Sequence, residues 1–193
     1  MILGKKVLAI IPARYGSKRL RSKNLKIFKG KPLFLWSMIL AKKSSYIDKI
    51  YLSTDSKKIS KIAKKNGFSI NKLRKKSLSG DQASSLGLVL EAIKNLKIKY
   101  DFFILLQPTS PLRFIRDVDY SLRKIINKKG KSLISVNRNN NNINGAIYIQ
   151  NINFFLKNKK FVYKNSLLYK MPPSRSVDIN TLKDFKQAQK NYV

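Results

Sequence analysis

The sequence predicts an α/β protein, a three-layer α/β/α sandwich built on a mostly parallel sheet. Three observations predict it. Short apolar runs alternate with longer amphipathic stretches, as strands joined by crossover helices require. The stretch 101–106 is apolar throughout from Phe102, as expected of a central parallel strand covered on both faces. A polar, glycine-containing loop, residues 12–24, follows the first apolar run, where open α/β sheets place ligands.

The elements follow in order. Residues 6–11 form a buried-strand candidate. Pro32 suits the first helical position, and Leu33, Trp36, Ile39 and Leu40 then fall on one helical face. Residues 47–53 read as a second strand, ending in the cap cluster Thr54, Asp55 and Ser56. Ile59, Ile62 and Ala63 give the next helix its stripe, and Asn66-Gly67 stops it. After a loop over 74–81, Leu86, Leu90, Ile93 and Leu96 mark another helix. The central strand 101–106 precedes a helix over 117–128 and a strand over 132–136. At Asn137 the pattern changes. Residues 139–142 are all Asn, a flexible connector by composition, and 145–149 is a further strand. Short pieces lead to a terminal helix over about 181–191. The expected organisation is one domain over 1–193: a nucleotide-binding core at 1–136, an Asn-rich connector at 137–143, and a completing segment at 144–193.

Composition bounds the chemistry. A chain of 193 residues is long enough for a sizeable core. A hydrophobic fraction of 43% argues against disorder despite a net charge of +33. With no Cys there is no disulfide, thiolate nucleophile or thiolate metal site, and with no His the commonest general base is missing. Any metal must be held by oxygen, favouring Mg²⁺, Mn²⁺ or Ca²⁺. The first apolar run, 7–11, is too short for a signal h-region and ends in Pro12, and the run 32–41 is far below a membrane span, so a soluble, cytoplasmic protein without a membrane partner is expected. The 42 Lys+Arg against 9 Asp+Glu could serve an anionic partner. Lys, Asn and Ile are abundant in helices and loops alike, which reads instead as drift of the whole composition under AT-rich coding DNA. A general attraction to small anions is the next reading. No aromatic-basic interleaving of a known RNA or DNA module is present, so no specific nucleic acid is expected.

The first loop, Pro12-Ala13-Arg14-Tyr15-Gly16-Ser17-Lys18, closes with Lys23-Asn24. Such a loop can aim backbone N–H groups and several cations at phosphates. It is neither a Walker A loop nor a GxGxxG turn, and by composition alone a plain surface loop fits as well. Four further segments stand out: Asp81-Gln82-Ala83-Ser84-Ser85, the run 105–113 (LLQPTSPLR), 144–149 (NGAIYI) and 176–181 (SVDINT).

Together these five segments, in this order and spanning nearly the whole chain, resemble the acylneuraminate cytidylyltransferases. Those enzymes share an A-R-x-x-S-K core followed by K-N, a D-T-A-S-S segment, an identical L-L-Q-P-T-S-P-L-R run, N-G-A-I-Y-I and S-I-D-I-D-T. The resemblance implies a Rossmann-like fold of the nucleotide-diphospho-sugar transferase type. It also implies a reaction in which CTP and a 2-keto sugar acid give a CMP-sugar and pyrophosphate. The sugar's anomeric hydroxyl attacks the α-phosphorus, a step of positioning and charge neutralisation that needs neither Cys nor His. The substrate class would be sialic, legionaminic or pseudaminic type acids for surface polysaccharide or flagellin glycans. The ketodeoxyoctonate enzymes are a neighbouring class, ranked lower on the L-L-Q-P-T-S-P-L-R run.

Carried over by position, Arg14 and Lys18 face the triphosphate with Ser17 and the loop amides, Ala13 among them, assisting. Lys23 and Asn24 lie beside the nucleotide. Arg14, Lys18 and Lys23 form the catalytic set. Arg74, Ser84 and Ser85 hold the cytidine, and Gln107 and Thr109 face the sugar. For Asn144 a sugar-side hydrogen bond and plain Asn-Gly turn chemistry explain the residue equally well. Mg²⁺, with Mn²⁺ as substitute, falls to Asp178 and Asn180.

Two departures from the family pattern follow. Where the family's D-I-D supplies two carboxylates to one side of an extended segment, this chain has Asp178 and Asn180, so the metal site loses a full negative charge. Asp184 reads as a solvated or capping acid. In the family, several tens of residues, the dimerisation arm and part of the sugar-carboxylate pocket, separate the strand matching 133–136 from N-G-A-I-Y. Here only 137–143 remain, which leaves the homodimer open. The reading is a shortened, CTP-dependent cytidylyltransferase. The alternative is a degenerate homologue that holds CTP or CMP with little turnover.

Overall fold

A computed structural model describes residues 1–17, 19–70, 73–74, 85–96 and 98–192. β1 (Val7–Pro12) leads through the first loop and a small antiparallel ribbon, β2 (Ile27–Phe28) and β3 (Lys31–Pro32), into α1 (Leu33–Lys43). Then come β4 (Lys49–Ser53), α2 (Lys57–Lys65), α3 (Ser85–Lys94), β5 (Phe102–Leu105) and α4 (Ile115–Asn127). The chain closes with β6 (Ser132–Asn137), β7 (Ile143–Asn151), α5 (Ile152–Asn158), β8 (Leu167–Met171) and α6 (Leu182–Asn191).

The six-stranded sheet has the order β4-β1-β5-β7-β6-β8. β1 runs parallel to β4, with Pro12 opposite Ser53, and parallel to β5, with Ile10 opposite Leu105. β7 is the one reversed strand, antiparallel to β5 and to β6, and β8 runs parallel to β6. The mostly parallel sheet is therefore as expected, with a single reversal.

Strand alternation sorts the side chains onto two faces. Val7, Ala9 and Ile11 pack with Phe34, Met38, Ile59, Val118 and Leu122 of α1, α2 and α4. Leu8 and Ile10 pack with Leu88, Val89 and Ala92 of α3 and Phe155 of α5 on the other face. These are the two outer layers of the α/β/α sandwich. A third cluster holds α6 to the ribbon: Phe28, Leu33, Leu112, Ile179 and Phe185 are buried together. The Phe28 ring meets Trp36, Phe185 and Tyr192 edge-on.

The Asn-rich stretch 137–143 is not the loose connector its composition suggests. Asn137 ends β6 and Ile143 begins β7, and the residues between make a tight hairpin. The Asn137 backbone N–H donates to the Asn142 carbonyl at 2.8 Å. The Asn137 and Asn140 side-chain carbonyls each accept from the backbone N–H two residues on, at 3.0 Å. Asn141 adopts φ 56°, a conformation Asn tolerates better than most residues. The asparagines are thus turn formers here.

From β1 the chain crosses to β4 on one side, and β5 then lies on the other side of β1. The divergence opens a crevice outside the carboxyl ends of these strands, the position where open α/β sheets bind ligands.

Candidate active site

The crevice is a polar cleft of about 530 Å³. Its floor and walls come from the first loop (Arg14, Gly16, Ser17, Arg19, Lys23, Asn24), the end of β4's following segment (Arg74), and the start of α3 (Ser85, Leu88). The loop after β5 (Gln107, Pro108, Thr109) and the segment before α6 (Asp178, Asn180) complete it. Lys18 and Ser84 lie outside the described residues, as do Asp81, Gln82 and Ala83.

The first loop is held at both ends. The Ala13 N–H continues the β1–β4 ladder by donating to the Ser53 carbonyl at 2.9 Å, and Ala13 is fully buried behind the cleft. The Tyr15 N–H donates to Asp55 Oδ1 at 2.8 Å. Asn24 Nδ2 donates to the Arg14 carbonyl at 2.8 Å, so this buried amide braces the loop from within. Arg74 is buried and clamped to the end of β4: its N–H donates to the Thr54 carbonyl at 2.7 Å and its guanidinium to the Ser53 carbonyl at 2.6 Å. Burial lowers its pKa, while Asp55 and Glu91 oppose the fall. A guanidinium stays charged under such conditions, so Arg74 presents fixed positive charge to the cleft.

Opposite, Gln107 and Thr109 sit in the loop after β5, with Thr109 Oγ1 at 3.5 Å from Gln107 Oε1. Gly145 of β7 stands beneath with φ 71°, and a Cβ there would lie 3.5 Å from Gln107 Oε1. The residue that fixes this loop is Arg113, 4% exposed. Its guanidinium donates to the Gln107 carbonyl at 2.9 Å, the Ser37 hydroxyl at 2.5 Å and the Ala146 carbonyl at 2.5 Å. One side chain thus joins the β5 loop, α1 and β7. Burial drives its pKa down to about 9, partly offset by Asp117 and Asp178. The sequence reading gave Arg113 no role, although it ends the LLQPTSPLR run.

Asn144 does not line the cleft. It is buried, its Oδ1 accepts from the Ser135 hydroxyl at 2.6 Å and the Ala146 N–H at 3.1 Å, and its Nδ2 donates to the Ser176 hydroxyl at 3.0 Å. Of its two readings the structural one describes this geometry: the amide ties β7 to β6 and to the segment before α6.

The pair Asp178 and Asn180 comes together, but as hydrogen-bond partners: Asn180 Nδ2 donates to Asp178 Oδ2 at 2.7 Å. Asn180 Oδ1 accepts from Lys23 Nζ at 3.2 Å and from the Arg19 guanidinium at 3.1 Å. Lys23 Nζ also donates to the Ile179 carbonyl at 2.7 Å. Burial pushes the Lys23 pKa down, Asp178 pulls it up, and Arg19 and Arg14 push it down again. Asp184 does not join the group as a ligand. It caps α6, taking the Asn180 and Thr181 N–H groups at 2.9 and 2.7 Å.

A divalent cation is therefore offered one direct oxygen. Asp178 Oδ1 is buried and without a hydrogen-bond partner among the described residues, as a ligand in waiting would be. Asn180 Oδ1 faces two cations, and among the described residues no three Asp, Glu, His or Cys side chains cluster as a metal site. Mg²⁺ is commonly held by one carboxylate with substrate phosphates and water, and the donor set fits that arrangement.

A second cavity of about 490 Å³, walled by Trp36, Leu112, Phe114 and Tyr192, is mainly apolar, with Lys43, Arg113 and Arg175 also in its lining. No helix among the described residues is long and apolar enough to cross a membrane.

Residues 8–192 match the family model described as cytidylyltransferase. The chain is 37% identical over 134 residues to the CMP-N,N'-diacetyllegionaminic acid synthase of Legionella pneumophila, covering 68% of this chain and 57% of that one. It is 32% identical over 216 aligned positions to the N-acylneuraminate cytidylyltransferase of Escherichia coli O18:K1:H7, covering 95% of this chain and 51% of that one. The chain thus spans about half the length of these curated relatives. Among solved structures, a CMP:2-keto-3-deoxy-manno-octonic acid synthetase complexed with CTP superposes with a TM-score of 0.75 at 17% identity, covering 96% of this chain and 97% of that one. At that identity the likeness speaks for the fold.

Proposed function

The chain belongs to the cytidylyltransferase family, and from that premise we propose that it activates an acidic nine-carbon sugar with CTP, giving a CMP-sugar and pyrophosphate. The observation that carries the proposal is the make-up of the cleft. It gathers four cations, Arg14, Arg19, Lys23 and Arg74, which suit a triphosphate. Gln107 and Thr109 add neutral polar groups to the same cleft, which suit sugar hydroxyls. The names of the relatives, a legionaminic acid synthase and an acylneuraminate enzyme, support sialic, legionaminic or pseudaminic type acids as the substrate class. Such products would feed surface polysaccharide or flagellin glycans, made in the cytoplasm where CTP is available.

In the reaction the anomeric hydroxyl oxygen bonds to the α-phosphorus. The bond from that phosphorus to the bridging oxygen breaks, its electron pair leaving with pyrophosphate, and the hydroxyl proton passes to water. The protein's part is to align the two reactants and to neutralise the charge gathering on the leaving group. Arg14 and Lys23 would serve there with Ser17, and Lys18 by its place in the loop sequence; the Ala13 and Tyr15 N–H groups, expected among the assisting amides, are instead taken by the Ser53 carbonyl and Asp55. Asn24 keeps the loop in shape, Ser85 lies on the nucleotide side, and Gln107 and Thr109 position the sugar. Mg²⁺, or Mn²⁺, would be held by Asp178 Oδ1 and the phosphates of CTP, where it would add Lewis-acid charge neutralisation.

The test is pyrophosphate release from CTP with Mg²⁺ or Mn²⁺, against a panel of nine-carbon 2-keto acids. Sugar-dependent release is expected. Silence across the panel with CTP still bound in a parallel titration would replace this reading with that of a nucleotide binder without turnover.

A further inference from the structure

We infer that the apolar cavity between α1 and the end of α6 is a second ligand site, built for a small carboxylic acid with an aromatic body. It has no lining residue in common with the polar cleft. The two share one connection as a wall: the segment that offers Gln107 and Thr109 to the cleft lines the cavity with Pro111, Leu112 and Arg113.

The cavity measures about 490 Å³, inside the range of roughly 300–1,000 Å³ that small-molecule sites occupy. Its body is made by Trp36, Ile39 and Leu40 of α1, by Leu112 and Phe114 between β5 and α4, and by Tyr192 after α6. The Trp36 and Tyr192 rings meet with centroids 5.3 Å apart. Trp36 Nε1 already donates to the Phe28 carbonyl at 2.8 Å, so the indole asks no hydrogen bond of an occupant. Water held against such a lining finds few partners, and a flat apolar body that displaces it gains the hydrophobic term.

Around this apolar body the charge is of one sign. Lys43 and Arg175 line the cavity, and no described Asp or Glu does. Cations also stand over its rings: Lys31 over Trp36 at 5.9 Å, Lys29 over Tyr192 at 5.6 Å, and Arg116 and Arg175 over Phe114 at 5.1 and 4.4 Å. Arg175 pairs with Asp117, but that acid is wholly buried and also accepts from the Tyr169 hydroxyl at 2.6 Å and the Phe114 N–H at 2.7 Å. Its charge is spent inside the fold, whereas the guanidinium fork keeps further N–H donors for a ligand. Lys43 is exposed and has no hydrogen bond or ion pair among the described residues. The fitting occupant therefore lays a ring against the aromatic walls and brings one carboxylate to Lys43 and Arg175, a group whose geometry matches a guanidinium. A second copy of the chain, with its net charge of +33, would set cations against cations. A lipid surface is flat, and this site is concave.

Trp36 is the one tryptophan of the chain, so indole fluorescence reports on this cavity. The experiment titrates triiodobenzoate, an aromatic acid whose iodine atoms quench an indole on contact, against the neutral triiodobenzamide. Saturable quenching by the acid is expected with a Kd of about 0.1 mM, and the amide should bind about tenfold more weakly or worse. Lys43→Glu should weaken the acid about tenfold and leave the amide and the melting temperature unchanged, since Lys43 is exposed. Linear quenching, equal for acid and amide, would overturn the inference, as would an unchanged Kd for the acid in Lys43→Glu. A dimer in sedimentation that shields Trp36, or shielding by phosphatidylglycerol vesicles with no response to the acid, would overturn it too and give the cavity to a second copy or to a lipid surface. Each of these failures leaves the reading of the polar cleft standing, because the two sites share no lining residue.

Discussion

Arg113 is the most instructive residue to remove. Arg113→Met keeps the aliphatic stem and deletes a guanidinium that makes three hydrogen bonds to neutral acceptors, the carbonyls of Gln107 and Ala146 and the Ser37 hydroxyl. Hydrogen bonds from a charged donor are worth about 1.5–3 kcal/mol each, and a buried acceptor left bare costs about 1–3 kcal/mol. Two effects reduce the sum. Ser37 already lies 3.4 Å from the Gln107 carbonyl and can close on it, sparing one acceptor. Holding a charge in this buried place is itself unfavourable, as the fall of the Arg113 pKa to about 9 records. The net loss should then be about 2–4 kcal/mol, a large part of the roughly 5–15 kcal/mol that holds a domain together. Arg113→Lys, with a point charge that cannot reach three directions at once, should recover at most about half of it. Urea unfolding of the three proteins measures this directly. A loss under about 0.5 kcal/mol for Arg113→Met would refute the reasoning, because it would mean that the charge's burial cost already cancels all three bonds.

Four further outcomes are expected. Lys23→Met should raise the Kd for CTP by about 10- to 100-fold and flatten its salt dependence, read by titration at several ionic strengths, since Lys23 Nζ stands in the cationic wall. Gly145→Ala forces a side chain onto φ 71° and sets its Cβ 3.5 Å from Gln107 Oε1. It should cost about 1–2 kcal/mol in urea unfolding and raise the sugar KM more than the CTP KM. Gly130→Ala places a Cβ 2.8 Å from Leu167 Cδ1 and 3.2 Å from Ile125 Cγ1, and should cost about 1 kcal/mol, with no loss meaning that the Leu167 tip simply turns aside. For Asp184, burial raises the pKa, but the N–H groups of Asn180 and Thr181 outweigh it and hold the carboxyl below its ordinary 3.8. A depressed carboxylate contributes stability that is present above that ordinary value and lost as pH falls through the folded one. Acid unfolding should therefore be shallower below about pH 3.8 in Asp184→Asn than in wild type.

The parts of the fold that show in the sequence are those whose burial is two-sided or strictly periodic. β1 and β5 are apolar on both faces, and α2 carries its stripe openly. α1, in contrast, is apolar nearly all round, so that Phe34, Met38 and Ala41 form its buried face and the expected Trp36, Ile39 and Leu40 are only partly buried. β8, with alternate residues half-buried or exposed, sits at the sheet edge beside β6, and its sequence LLYKM carries too weak an apolar signal to stand out in a lysine-rich tail. α5 has seven residues, with a cap in the Asn151 side chain and one buried face of Ile152 and Phe155, too short for a helical period to repeat. The reversal of β7 is a matter of connection length. The hairpin over 138–142 leaves no room for the crossover a parallel strand needs, so Asn chemistry that reads as flexibility instead dictates strand direction.

The site divides along the same line between what local pattern carries and what only assembly creates. Arg14, Ser17, Lys23 and Asn24 belong to one loop, and a glycine-bearing basic loop after a first strand announces itself. Arg19 does not, because one more cation in a chain with 42 of them carries no signal until a partner 161 residues away singles it out. Position 180 shows why substitution counts mislead at such places. Read as a ligand, Asn180 is a carboxylate with its charge removed, and the metal site looks impaired. In place, its NH₂ and its carbonyl serve opposite charges at once, which an aspartate cannot do. The loss of one negative charge is thus also the gain of a donor.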